Sequence, residues 1–276
     1  MQSLHFCTGL PRTGSTVLMN ILQQNPKIFT TSTDPLPGIL TNQLLTRARY
    51  TESFQAMSCA QADNAMYGMV IGAATGWYEG LTPKPIVISK SRDWSNLSHL
   101  FPESKHVVLI RDLRDIVESF DRINSKIKAL HTYDDSNNLY ASMSEDEKYN
   151  YHFKTANAFS AALSIEIPRY LEMFIKNKNA IKFVRYEDVL KEPIHMLSRI
   201  YEFLNIEPYD HDLNNIQQSA IFEHDNAYFK EKTDHITHPQ MIKWSEPKRV
   251  LTPKFHKKVV DNNQWFYRAF YPEVLL

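Results

Sequence analysis

The sequence predicts an α/β fold, a central parallel sheet flanked by helices on both faces, in one domain spanning residues 1–276. Three observations predict it. Short β-branched runs recur along the chain, stretches with helical apolar spacing separate them, and no internal repeat or Gly/Ser/Pro-rich linker divides them. Strands that alternate with helices pair in parallel, and the crossover helices cover both faces of the sheet. In such a sheet, ligands bind at the carboxyl ends of the strands.

Residues 4–8 form an apolar run that ends at Gly9 and Pro11, which reads as a buried strand entering a loop. From Ser15, the residues Val17, Leu18, Ile21 and Leu22 recur at helical spacing until Gln24-Asn25-Pro26 ends the helix. "PIVIS" (85–89), "HVVLI" (106–110) and "AIKFV" (180–184) read as further buried strands. Ile116, Phe120, Ile123, Ile127 and Leu130 mark one helix face after the second of these. Ile194, Leu197, Ile200, Tyr201 and Leu204 mark another behind Pro193, a residue suited to a first helical turn. Thr252 before Pro253 predicts an N-capped helix near the C-terminus. The polar stretch 131–152 has the composition of a solvated loop or an inserted lid.

Lys+Arg and Asp+Glu are equal at 31 each, so no global field draws the chain to nucleic acid or an anionic membrane. Any anion site must be built locally. Cys7 and Cys59 have no metal-ligand spacing and suggest no disulfide framework, which suits a reducing cytoplasm. The first residues lack the basic-then-apolar pattern of a secretory signal, and no apolar run is long enough to span a bilayer.

The stretch "GLPRTGST" (9–16) carries the chemistry. It has the glycine spacing of the phosphate-binding loop G-x-x-x-x-G-K-[ST], with Ser15 where the lysine belongs and Arg12 inside the loop. A glycine loop running into a helix points backbone N–H groups at one spot, and the helix dipole adds positive potential there. Arg12 adds a permanently charged fork, and Ser15 and Thr16 add hydroxyls. The predicted ligand is a tetrahedral anion. A nucleotide triphosphatase would need the loop lysine and a magnesium ion held by an acid at a strand end, but the "VVLI" strand ends in Arg111.

"GLPRTGSTVLMNIL" and "VVLIRDLRDIVESF" together resemble the two signature segments of the sulfotransferases that use 3′-phosphoadenosine 5′-phosphosulfate (PAPS), enzymes with a P-loop NTPase-like domain. The first resembles their 5′-phosphosulfate loop, in the arginine form of the tyrosylprotein and bacterial branches. The second resembles their 3′-phosphate segment, a strand ending in arginine with a serine eight residues on, here Arg111 and Ser119. "VISKSRDW" (87–94) is similar to the strand that ends in an active-site lysine, Lys90. "FVRYEDVLKEPIHMLSRIYEFL" (183–204) is similar to the segment whose tyrosine, Tyr186, lies near the adenine.

The resemblance implies that Pro11, Arg12, Thr13, Gly14, Ser15 and Thr16 hold the 5′-phosphosulfate, and that Arg111, Ser119 and Tyr186 hold the rest of the nucleotide. It implies Arg12 and Lys90 as catalytic groups and no metal, since cationic side chains supply the charge. For the general base the tyrosylprotein branch has a glutamate shortly after the loop helix; the corresponding stretch 25–38 has none, and its only acid, Asp34, one position off, is the candidate, with His99 as a fallback. Arg92 stands where the cytosolic branch has a histidine. Ser219–Phe222 and the basic segment to Arg249, about 219–250, would close over the nucleotide. The aromatic residues Phe54, Tyr67, Trp77 and Tyr78 are available to an acceptor pocket or to the core. The acceptor, whether small molecule, glycan or peptide, has no signature in the sequence. A P-loop small-molecule kinase and a non-catalytic nucleotide-binding protein stay open as alternatives.

Overall fold

The computed structural model describes every residue except 1, 32, 46–50, 131–141, 156, 219–237 and 242. β1 (Ser3–Gly9) runs through the glycine loop into α1 (Ser15–Leu22) and then β2 (Ile28–Thr30). α2 (Leu36–Leu45), α3 (Thr51–Gln55) and the long α4 (Cys59–Leu81) lead to β3 (Ile86–Lys90). Two 3-10 turns (Asp93–Asn96 and Ser98–Leu100) precede β4 (His106–Ile110) and α5 (Leu113–Leu130). α6 (Glu145–Phe153), α7 (Ala158–Ala161), a π-turn (Ala162–Glu166) and α8 (Ile167–Lys176) come before β5 (Ile181–Arg185). α9 (Tyr186–Lys191), α10 (Pro193–Leu204), α11 (Pro253–Asn262), α12 (Gln264–Phe270) and a 3-10 turn (Pro272–Val274) follow among the described residues.

The five strands form one sheet in the order β2-β3-β1-β4-β5, every pair parallel. Side chains alternate across it as strand geometry requires. On β1, Phe6 stacks on Trp94 at 4.1 Å on one face, while Cys7 joins Leu18, Val107 and Leu109 on the other. Each fully buried side chain of this size contributes about 1.5–3 kcal/mol. β1 is central: the chain leaves it toward β2 and β3 on one side, and leaves β4 toward β5 on the other. The two loops diverge above the β1–β4 pair, where an open α/β sheet makes its binding crevice. The edge holds Arg12 in one loop and Arg111 in the other.

The predicted strands and the helices after β1, β4 and β5 stand where periodicity put them. Thr252 caps α11, its hydroxyl accepting from the Phe255 amide at 3.2 Å. Ile194 is the exception on its face: it is exposed, while Leu197, Ile200, Tyr201 and Leu204 are buried. Of the stretch 131–152, residues 131–141 lie outside the described residues. Glu145–Phe153 is a helix because Ser144 and Glu147 form a capping box and Tyr149 and His152 pack inward. The segment Ser219–Phe222 also lies outside the described residues. Among the described residues, no helix is long and apolar enough to cross a membrane.

Candidate active site

Two backbone features shape the loop. Gly9 has φ +141, and a Cβ there would lie 2.1 Å from the Leu109 carbonyl oxygen, so β1 and β4 approach as closely as they do only through glycine. Gly14, at φ +73, is the N-cap of α1, and no side chain caps that helix. The first-turn amides are therefore open to a ligand, and the dipole favours a negative one. Arg12 is itself left-handed at φ 62. The Thr13 hydroxyl donates to the Leu10 carbonyl at 2.7 Å, bracing the turn from inside, so only its amide is left to face a ligand.

Residues far apart in sequence meet over this loop. Arg12 Nε donates to Ser119 Oγ at 3.2 Å, and Arg111 Nη1 donates to the Arg12 carbonyl at 2.8 Å. The Arg111 guanidinium lies over the Tyr186 ring at 4.3 Å. The Cδ2–Cε2 edge of that ring packs on Gly14, where a Cβ would sit 2.9 Å from Tyr186 Cε2. Arg111 Nε is buried and has no partner among the described residues. An arginine nitrogen left unpaired next to an uncapped helix start is a donor set waiting for an anion. A phosphorylated nucleotide with anionic groups at both ends fits it.

Lys90, at the end of β3, donates to Thr16 Oγ1 at 2.9 Å. Its ammonium is pushed down to about 8, first by burial; the Cys7 thiol opposes the shift and the Arg92 charge adds to it. Lysine at that poise gives up a proton far more readily than arginine does.

Asp34 lies beside Lys90, its amide donating to the Lys90 carbonyl at 3.0 Å. Its carboxylate is buried and occupied: Tyr78 and Ser89 hydroxyls donate to Oδ2 at 2.6 Å each, and the Leu36 amide donates to Oδ1 at 3.0 Å. Trp94 Nε1 in turn donates to Ser89 Oγ at 2.8 Å. His99 packs its ring on Tyr67 at 5.7 Å, and Arg92 donates to the Ala158 carbonyl at 2.9 Å. Tyr78 is core, whereas Tyr67 and Trp77 are partly exposed.

Sequence reasoning missed the braces behind Arg111. Glu187 Oε1 accepts from the Asp112 amide at 3.2 Å, and Oε2 accepts from the Tyr271 hydroxyl at 2.8 Å. These bonds tie the loop after β4 to the start of α9 and so hold Arg111 against Tyr186. Only the "YED" triplet hinted at them.

The fold and the loop define an anion-handling α/β enzyme of the P-loop-like type. A family model described as "Sulfotransferase family" matches residues 5–211. The chain belongs to this family and is a transferase of sulfuryl groups. Comparison with curated proteins found no match. The sulfotransferase domain from the curacin biosynthetic pathway is 16% identical, with 96% of this chain and 98% of that one covered and a TM-score of 0.53. The sulfotransferase domain from the Synechococcus PCC 7002 olefin synthase is 15% identical over 95% of this chain and 94% of that one, TM-score 0.50. Mouse sulfotransferase SULT7A1, solved with PAP, is 15% identical over 95% and 83%, TM-score 0.50. These structures share the fold.

Proposed function

We propose that the chain moves a sulfuryl group from PAPS to an acceptor hydroxyl or amine and releases 3′,5′-ADP. The observation that carries this reading is the convergence of Arg12, Arg111, Ser119 and Tyr186 above the uncapped start of α1. The 5′-phosphosulfate belongs at the loop amides of Thr13, Gly14, Ser15 and Thr16, whose turn Pro11 shapes, with Arg12 and the two hydroxyls as further donors. The 3′-phosphate belongs at Arg111 and Ser119, and the adenine beside Tyr186. The mouse relative was solved with PAP, the product of this reaction, and shares the fold.

In the transfer, the bond from sulfur to the phosphate's bridging oxygen breaks as the acceptor oxygen or nitrogen bonds to sulfur in line. Charge grows on the departing bridging oxygen, where Arg12 stabilises it and Lys90 delivers a proton. The acceptor's own proton leaves to a base. Because the cations Arg12, Arg111 and Lys90 supply the charge, we propose transfer without a metal. Asp34 lies beside Lys90, yet to take a proton it must surrender one of its hydrogen bonds. Its carboxylate therefore suits an anchor for the turn at Thr33–Leu36 beside Lys90 more than a proton acceptor. Asp34→Asn separates the two roles. An anchor loses stability with turnover per folded molecule unchanged, whereas a base loses turnover at full stability.

The reading as a whole is tested by isothermal titration with 3′,5′-ADP, ADP and ATP, with and without magnesium. Metal-independent binding of 3′,5′-ADP that weakens at least tenfold in Arg111→Ala, a charge-assisted pair lost, is the expected result. Binding of ATP alone, and only with magnesium, would replace it with a kinase.

A further inference from the structure

Two adjacent, buried residues of α5 meet different partners. Ser119 meets Arg12, while Glu118 turns into the protein at 1% exposure. Glu118 Oε1 accepts from the Val250 and Leu251 amides at 2.9 Å each and contacts His256 Nε2 at 3.0 Å. Oε2 has no partner among the described residues. Burying a carboxylate this deeply is costly unless its bonds matter to the fold or the site. What these bonds do is fix where the chain runs at Val250–Leu251, and hence where the preceding residue, Arg249, stands.

Arg249 meets a buried acid. Its Nε and Nη2 both donate to Asp115 Oδ1 at 3.2 Å, and Nη2 is 3.8 Å from Asp112 Oδ2. Asp112 already has Arg114 in a close ion pair. Asp115 has its ion pair with Arg249 instead; burial, then the Asp112 charge, push its carboxyl up, and Arg249 and Arg111 pull it back. Asp115 is thus bonded to Arg249 and lies four residues after Arg111, the arginine that the proposed reading assigns to the donor's 3′-phosphate.

A buried carboxylate draws whichever cation can reach it, because the alternative is an uncompensated charge. Arg114 is already committed to Asp112, so without Arg249 the cation left to Asp115 is Arg111, four residues before it, and Asp115 also repels a phosphate arriving beside it. We propose that Arg249 is a positioning residue for donor recognition: it neutralises Asp115 so that Arg111 is left for the 3′-phosphate, and Glu118 holds it in register. The unpartnered Nε of Arg111 is the sign that this division is in place. The inference rests on the assignment of Arg111 and Ser119 to the 3′-phosphate.

The test is titration of the full chain with 3′,5′-ADP and with 5′-AMP, which lacks the 3′-phosphate. Arg249→Gln is expected to weaken 3′,5′-ADP about tenfold and to leave 5′-AMP within about twofold. Adding Asp115→Asn to that variant is expected to restore 3′,5′-ADP to within about threefold of the wild type, because the acid that Arg249 had neutralised is gone. Glu118→Gln should shift 3′,5′-ADP the same way by less. The Arg249 variants decide the matter even if Glu118→Gln fails to fold, since the Arg249 side chain is one-third exposed at 33%. Unchanged affinity in Arg249→Gln overturns the proposal. A loss that Asp115→Asn does not recover also overturns it, since that is how a direct phosphate ligand behaves. A wild type that binds 3′,5′-ADP no better than 5′-AMP removes the nucleotide assignment itself, a separate failure.

Discussion

Gly14→Ala adds one methyl group and strikes both the fold and the donor site. Gly14 sits at φ 73, ψ 17, where an L side chain costs about 1–2 kcal/mol. The added Cβ would lie 2.9 Å from Tyr186 Cε2 and 3.1 Å from Cδ2. Comfortable carbon–carbon contact begins near 3.5 Å, so the ring must retreat by roughly half an ångström. That ring supports the Arg111 guanidinium at 4.3 Å, a stacking worth about 0.5–1 kcal/mol at a partly exposed site. The sum is a loss of roughly 1.5–3 kcal/mol in stability, read by urea unfolding, and about tenfold in 3′,5′-ADP affinity, read by titration. In a Tyr186→Ala background the steric share should vanish, leaving a cost of about 1–2 kcal/mol from backbone strain alone. Gly38→Ala is the control, because its Cβ would meet only Asp93 Oδ2 at an ordinary 3.5 Å. Wild-type stability and affinity in Gly14→Ala would refute the packing of loop, tyrosine and arginine described above.

Three further predictions follow from the same structure. Lys90 must be protonated to serve the leaving oxygen and its ammonium is lowered to about 8 by burial, so kcat/KM should fall as pH rises through about 8; Lys90→Arg should abolish that limb. His5 and His152 are lowered to about 4 and His106 to about 3, burial being the first cause for each. The unfolded chain then binds more protons between those values and about 6.5, so their stability contribution is complete above about 6.5 and is lost as pH falls toward 4; urea unfolding at pH 7 and pH 5 should differ by several kcal/mol. On α4, a Cβ at Gly68, Gly72, Gly76 or Gly80 would meet nothing within 4 Å. Replacing all four with alanine should add about 3–4 kcal/mol to urea stability, at 0.8–1.0 kcal/mol per helical glycine; a loss instead would mean that this face is packed against a partner.

Some of this was readable without coordinates, for definite reasons. A fully buried parallel strand is a short β-branched run, which made β1, β3, β4 and β5 visible. β2 was not, because its three residues, Ile28–Thr30, are too few to show a pattern. α4 was hidden for the opposite reason. Its glycines argue against a helix by propensity, and what overrides them is tertiary: a Ser58–Gln61 capping box and a buried row of Ala62, Met66, Val70, Ala74 and Tyr78. That Arg12, Arg111, Ser119 and Tyr186 meet was legible because loop and strand-end motifs are local in sequence, and a parallel sheet brings strand ends together whatever lies between them. Asp34 marks where that logic stops. Its position beside Lys90 follows from strand order, but its hydrogen bonds to Tyr78 and Ser89 are contacts across 44 and 55 residues, which no spacing reveals.

The same limit hid the acids. Lys+Arg and Asp+Glu cancel at 31 each over the chain, and "RDLRD" (111–115) mixes two arginines with two aspartates without showing which of them the fold buries. In the fold, Asp112 and Asp115 are buried at 5% and 3%, so their charges must be met locally. Asp112 is met from within the segment by Arg114, and Asp115 from more than a hundred residues away by Arg249. A neutral protein can present Arg12, Arg111 and Lys90 to a polyanion only if its nearby carboxylates are already paired with other cations. On the proposed reading, anion affinity is set as much by where the acids are tied down as by where the arginines point. The prediction that separates the two is that Asp115→Asn rescues Arg249→Gln.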